Sequence, residues 1–374
     1  MEFKIGREEI VRGLAGVQSI VERKNTIQIL SNVLLKLKDG KLTVEATDLE
    51  VGLSATYPVE VISEGGVTVD AKMLYDIVRQ IPEGAMIHFK KKENNWLEVM
   101  TGRSLFNIMG LSADEFPEIP GYAGEDQWTV SPDILMGMID KTIFAVSHED
   151  VRYNLSGVYL EVVDEGQKRQ MRMVATDGHR LSLVDTDIDG EIPFPKGEGV
   201  ILPRKGLNEL RKLIDGDLEH IGMRFAENNL MVKFDDIHLV IRLIDGRFPN
   251  YLQVIPQAND KKVTVNREDF LKTLRRVSVL SQDTRVRMVK FHVTPNTLEV
   301  TTESPDVGTA REEITVKYSG PELNIGFNAN YLIDILTAMD DDEVICNLLD
   351  ESSPGEIRPT EERGYFFIIM PMKI

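Results

Sequence analysis

The chain has 374 residues, 42% of them hydrophobic, one cysteine and a formal net charge of −18. That length exceeds one ordinary core and calls for two or three domains, while a lone Cys346 excludes an internal disulfide and any multi-thiolate metal site. No run approaches the roughly 20 continuous apolar residues of a membrane span, and the start "MEFKIGREEI" lacks the layout of a secretion signal, so a cytoplasmic location with no membrane partner is expected.

In chain order, a helix-like stretch "REEIVRGLAGVQSIVERK" (7–24) is followed by alternating runs "SNVLLKLKDGKLTVEATDLEVGLSATYPVEV" (31–61), a shorter helix "AKMLYDIVRQI" and strands that end at "EFPEIPGY". The same series returns as "SPDILMGMIDKTIFAVSHEDVR" (131–152), "SGVYLEVVDEGQKRQMRMVATDGHRLSLVDTDI" (156–188), "RKGLNELRKLI" and strands ending at "RFPNYLQVIP". It returns a third time as "REDFLKTLRRVSVLSQDTRVR" (267–287), "RMVKFHVTPNTLEVTTESPDVGTAREEITVKY" (287–318), "ANYLIDILTAM" and "FFIIMPMKI". Period-2 alternation marks the strands, and the repeat recurs at intervals of roughly 125 residues. Ser131 and Asn266 stand as N-caps with acids in the first turn. Phe116-Pro117 and Phe248-Pro249 read as extended linkers, because proline ends pairing and holds its predecessor extended. Domains are therefore expected at 1–120, 121–253 and 254–374.

One stretch, "VATDGHRLSLVD" (174–185), collects Asp177, His179 and Arg180 beside Gly178, a composition that could serve a general base, a phosphate clamp or a metal. In the repeat, Thr176-Asp177 corresponds to Thr47-Asp48 and to Thr302-Glu303, which favours a strand turn over three separate bases. His179 has Glu50 and Pro305 as its counterparts. No zinc-protease helix, nucleophile elbow or phosphate loop accompanies it, and residue chemistry alone leaves His179 open between a structural or surface role and catalysis, the former favoured. The acidic total, at face value, also argues against nucleic acid, which is bound through clustered Lys and Arg.

The ordered repeat, together with "DVRYNLSGV", "VATDGHRL", "LPRKG", "DGRFPNY", "IGFNANYL" and the terminal "MPMKI", resembles the bacterial DNA polymerase III beta subunit, the beta sliding clamp, from Met1 to Ile374. The resemblance implies an α+β fold of three clamp domains, helices inside and antiparallel sheets outside, closed head to tail by two chains into a ring. It implies a processivity factor with no catalytic residues, no metal and no cofactor, which encircles duplex DNA without reading sequence. Expected partners are double-stranded DNA, a clamp loader, DNA polymerases, and mismatch-repair and ligase-type proteins.

By the same resemblance a partner-peptide groove is expected from Arg152, Leu155, Thr176, Gly178, His179, Arg180, Leu181, Pro249, Val254, Asn328, Tyr331, Ile368, Met370, Pro371 and Met372, with His179, Arg180 and Asn328 as its polar rim. Asn154 stands where the family pattern has tyrosine, and Ile368 and Ile369 stand where valines are usual. DNA contacts are expected from Lys24, Lys72, Tyr153, Arg204 and Lys205, and charge placement on helices adds Arg275 and Arg276. The resemblance further implies a dimer interface of Phe106 and Ile108 against Leu274, Val279 and Leu280. Charge distribution answers the acidic total: the six helix-like segments sum to +4, so the remainder carries −22. Such a partition suits weak positive potential toward phosphates and an acidic exterior.

Overall fold

The computed structural model describes residues 1–374 apart from 22–26, 123, 150, 167, 189, 196–198, 215–217, 282–286 and 305–306, with no side-chain description for residues 165 and 281. Lys24, expected at the DNA, and Pro305, the counterpart of His179, lie outside the described residues. Six α-helices alternate with strands as the repeat requires: α1 (Arg7–Gln18), α2 (Ala71–Arg79), α3 (Pro132–Thr142), α4 (Arg204–Leu213), α5 (Arg267–Val277) and α6 (Ala329–Ala338). The first, third and fifth stop well short of the segments read from the sequence, and α3 and α5 run on into 3-10 turns at Ile143–Ala145 and Ser278–Ser281. Caps set the starts. Asn266 Oδ1 accepts the Asp269 amide at 3.0 Å, Asp70 Oδ1 that of Met73 at 2.7 Å, and Asn328 Oδ1 that of Asn330 at 3.0 Å, each satisfying a donor that the helix leaves unpaired.

Among the described residues each repeat consists of two antiparallel halves, each built on four strands, to which the first repeat adds the short strands Glu60–Ser63 and Gly110–Ser112. Side chains alternate across the strands, as in Phe3 and Ile5 or Val263 and Val265, which are buried between more exposed neighbours, and the helices lay one apolar face on the sheets. In α1 that face is Ile10, Gly13, Leu14 and Val17; in α5 it is Phe270, Leu271, Leu274 and Val277. Gly13 is needed for close approach: a Cβ there would stand 2.8 Å from the Tyr57 ring. Over the six observed helices the formal charges still sum to +4, within a chain of −18.

The chain forms two compact units, one of Met1–Pro132, Glu191–Gly197 and Lys205–Leu243, the other of Asp133–Gly190, Glu198–Arg204 and Ile244–Ile374. The three repeats are not three separate cores because sheets run from repeat to repeat. In the first unit, strand Val51–Pro58 pairs with strand Ile237–Arg242, so first-repeat and second-repeat strands make one nine-stranded sheet. In the second unit, strand Arg180–Asp187 pairs with strand Tyr365–Ile369, giving an eight-stranded sheet. The other two sheets end in open edges at strands Ser104–Ile108 and Gly308–Thr315. Cys346 lies in the core of the second unit, where burial pushes its thiol up to about 12 and leaves it inert.

Candidate peptide groove and DNA-facing residues

The turn at 176–180 is built from its own side chains. Thr176 Oγ1 donates to the Arg180 carbonyl at 2.6 Å and accepts from the Gly178 amide at 3.0 Å. Asp177 Oδ1 accepts the amides of His179 and Arg180 at 2.9 and 3.0 Å. Gly178 takes φ +87°, a conformation that glycine adopts without steric cost. The first repeat reproduces the device: Thr47 Oγ1 donates to the Val51 carbonyl at 3.0 Å, and Asp48 Oδ1 accepts from Glu50 and Val51 at 2.9 and 2.7 Å. In the third, Thr302 Oγ1 instead donates to the Met288 carbonyl at 2.9 Å. Asp48 and Asp177 are thus turn-formers, with Oδ1 engaged by two backbone amides and Oδ2 by a cation, Lys205 and Arg180 respectively.

Arg180 is not a rim residue. It is 7% exposed, donates to Asp177 at 3.0 Å, to Asp334 at 2.6 Å and to the Phe144 carbonyl at 2.6 Å, and lies 4.4 Å from the Tyr331 ring centre. Its guanidinium is a brace joining the turn, α6 and the end of α3, because its fork of donors meets three acceptors at once. Asn328 likewise uses its side-chain oxygen as a helix cap. His179 is the exposed polar group, with its ring 6.3 Å from that of Tyr331. Arg152 holds the turn from outside, donating to the Asp177 carbonyl at 2.9 Å.

The apolar floor comes from strand pairing. Leu181 stands opposite Ile368, and both belong to a buried cluster with Val174, Leu183 and Tyr251, against which Phe248 and Ile255 pack. Leu155 is also buried, and Thr176 with it. Leu155, Leu181 and Ile368 are therefore core or floor residues, and among the aliphatic and methionine residues expected in the groove the exposed ones are Val254 and Met370. The terminal tail continues the sheet: the Met370 amide donates to the His179 carbonyl at 2.9 Å and the Met372 amide to the Gly326 carbonyl at 2.8 Å. Pro371 and Met372 are half-buried there, and Pro249 is exposed in the linker. Asn154, the departure from the family pattern, donates to the Arg247 carbonyl at 3.0 Å, tying the 153–155 turn to that linker.

Sequence reasoning missed Leu252, 56% exposed in the linker beside Val254. An apolar side chain in an exposed Phe-Pro linker was the available signal. It also missed the support beneath: Arg172 pairs with Asp185 at 2.7 Å and donates to Tyr251 at 3.2 Å, and Tyr251 donates to Glu161 at 2.5 Å. Burial, followed by the Glu161 bond, holds the Tyr251 phenol protonated well above its ordinary range.

Among the DNA-facing candidates, Lys72 is exposed at the start of α2, Tyr153 is exposed in a 3-10 turn, and Arg275 and Arg276 are exposed on α5. Arg276 is held by Glu312 at 2.6 and 2.8 Å, which lowers its value to a phosphate. Arg204 lies 2.7 Å from His148 Nδ1; burial and then the Arg204 charge push His148 below its ordinary value, which favours the neutral ring beside the guanidinium. Lys205 pairs with Asp48. At the expected interface, Phe106 is 38% and Val279 59% exposed, and Leu280 is half-buried. Ile108 at 3% and Leu274 at 0% are core residues of their own units, a correction to the apolar set read from the sequence. Among the described residues no group of three or more His, Cys, Asp or Glu is placed to hold a metal ion, and no helix is long and apolar enough to cross a membrane.

A braced turn, a sheet-borne apolar floor and a repeated two-half domain define a DNA clamp fold. Family models described as the N-terminal, central and C-terminal domains of the DNA polymerase III beta subunit match residues 1–120, 129–250 and 252–373. The beta sliding clamp of Caulobacter vibrioides is 35% identical over 379 residues and that of Escherichia coli 34% over 375, each covering 100% of both chains. A sliding clamp from Bartonella birtlesii, bound to griselimycin, superposes with a TM-score of 0.94 at 34% identity, and the DNA polymerase III subunit beta of Pseudomonas aeruginosa with 0.91 at 33%, both over 100% of each chain. The chain belongs to the DNA polymerase III beta subunit family, with three clamp domains. It is a sliding clamp, a processivity subunit with no catalytic role.

Proposed function

We propose that two copies of this chain close head to tail around duplex DNA in the cytoplasm, with domain boundaries at 120/121 and 253/254, and that the groove of the second unit tethers partner proteins by short peptides. One observation carries the ring. Strand 51–58 pairs with 237–242 and strand 180–187 with 365–369, each joining one repeat to the next; the same rule leaves strand 308–315 seeking a partner and strand 104–108 offering one. Open edges of this kind pair readily, and a heterologous contact that closes after two copies makes a finite ring rather than a fibre. Phe106 and Val279 supply the exposed apolar surface for that contact.

DNA then meets cations on helices, Lys72, Arg204 and Arg275 foremost, with Lys205, Arg276 and Tyr153 beside them. The cations named are suited to phosphate, so contacts are to the backbone and independent of sequence. The groove receives an extended peptide whose apolar side chains cover Val254, Leu252 and Met370 above the Leu181 and Ile368 floor. Clamp loader, polymerases, mismatch-repair and ligase-type proteins are its expected users. Calorimetry with a peptide carrying glutamine followed by leucine and phenylalanine tests this: deletion of 370–374 abolishes binding and leaves the dimer intact. Normal binding to the truncated chain overturns the groove assignment.

A further inference from the structure

We propose that the first unit carries a second peptide-docking cleft, formed by the same kind of strand junction as the groove and suited to an apolar residue flanked by Lys or Arg. The inference takes its mode of binding from the groove reading above, but its location stands on separate geometry. In the first unit Gly52 pairs with Val240, as Leu181 pairs with Ile368 in the second. The Arg242 amide donates to the Glu50 carbonyl at 2.8 Å, as the Met370 amide does to the His179 carbonyl at 2.9 Å. The Thr47-Asp48 turn repeats the side-chain-to-backbone bonds of the Thr176-Asp177 turn, and each junction is crossed by a Phe-Pro linker. A cleft of about 280 Å³ opens there, lined by the turn, by the linker residues 117–120 and by residues 227–229, Val240 and Arg242.

What differs is the chemistry. Gly52 stands where the groove has Leu181, which lowers the floor, and the linker's Ile119 lies over it: a Cβ on Gly52 would meet Ile119 Cγ2 at 3.0 Å. Glu50 replaces His179 and Arg242 replaces Met370. With Glu118 and Glu227 also exposed around the cleft, its mouth carries three carboxylates and one guanidinium above an apolar floor of Val51, Val240 and Ile119. Charge complementarity therefore selects a basic segment, with one apolar side chain entering and its Lys or Arg neighbours meeting the carboxylates. The aliphatic anchor also meets Leu49, an exposed side chain of the turn.

The test uses the full chain and a labelled ten-residue peptide in which one leucine is flanked by lysines, read by fluorescence anisotropy. The expected result is saturable binding that falls about tenfold in the double variant Glu50→Lys, Glu118→Lys, while the control Glu351→Lys, Glu362→Lys, which shifts net charge equally away from the cleft, binds as the parent does. Gly52→Leu, checked for folding by circular dichroism, is expected to lose binding by displacing Ile119. Met370→Asp is expected to leave this peptide unaffected while abolishing capture of the glutamine-leucine-phenylalanine peptide, so the two sites are read independently. Equal losses in the two charge variants, or no saturable binding to the parent chain, overturn the cleft without touching the groove; failure of the second peptide alone overturns the groove and leaves the cleft to its own result.

Discussion

Arg180 reaches the Asp334 carboxylate at 2.6 Å across 154 positions of sequence, and the same guanidinium holds Asp177 and the Phe144 carbonyl. The contact fixes the groove turn to α6. Removing one side of a buried pair strands the remaining acceptors, which costs more than the pair itself contributes. Arg180→Ala is expected to lower unfolding free energy by about 3 kcal/mol, toward the low end because Asp334 remains partly hydrated. Arg180→Lys recovers less than half of that, since one ammonium cannot reproduce the fork. Denaturant midpoints for the three chains decide it, and an unchanged midpoint in the alanine variant would remove the brace from the account.

Little of that brace was legible beforehand, and the reason is distance along the chain. "TDGHR" announced a turn because its Thr-Asp pair recurs in the first repeat and its bonds are local, made within five residues. Arg180 reads as a rim cation in the sequence because, apart from Asp177, its acceptors come from α6 and from residue 144, which nothing in its neighbourhood signals. The sheets divide similarly. Alternation marked each strand, whereas the joining of 51–58 to 237–242 unites different repeats and depends on which edges remain open. The family resemblance implies Leu274 as interface, but an apolar residue on a helix shows its type and not which side is covered, and Leu274 is buried on the same face as Phe270.

In the proposed ring, closure rests on the two open edges. Phe106→Asp places a charge on an exposed apolar position of strand 104–108, and burying an unpaired carboxylate there costs several kcal/mol. Together with Val279→Asp it is expected to give folded monomers by sedimentation, with thermal unfolding of each chain retained because both side chains are outside the core. A variant that sediments only as a dimer places the interface elsewhere.

Salt dependence separates the cations. Each phosphate contact removed flattens the slope of log affinity against log salt by about 1. Arg204→Gln is expected to show that change in full, because its neighbour His148 favours the neutral ring and competes weakly. Lys205→Gln is expected to show less, because Asp48 already engages the ammonium. The double variant therefore changes the slope by less than 2 and does so equally on unrelated duplex sequences. A preference for one sequence, or a slope that neither change alters, argues against phosphate contact at α4.

In the proposed groove His179 and Gly178 have different parts, and substitution tells them apart. His179 is exposed and touches Tyr331 only by its ring, so His179→Ala is expected to weaken peptide binding by about 1 kcal/mol, roughly fivefold, with no change in unfolding midpoint. Gly178 sits at φ +87°, and a Cβ there would stand 2.6 Å from Arg152 Nη1. Gly178→Ala strains the backbone and displaces the guanidinium that holds the Asp177 carbonyl at 2.9 Å. It is expected to lower both stability and peptide affinity, each by about 1 kcal/mol or more. Arg152→Ala in the alanine-178 background then costs little more affinity, because the contact it removes is already lost. Fully additive losses would show that Arg152 and Gly178 act separately, and any hydrolytic activity that disappears with His179 would return that residue to the catalytic reading its neighbours first suggested.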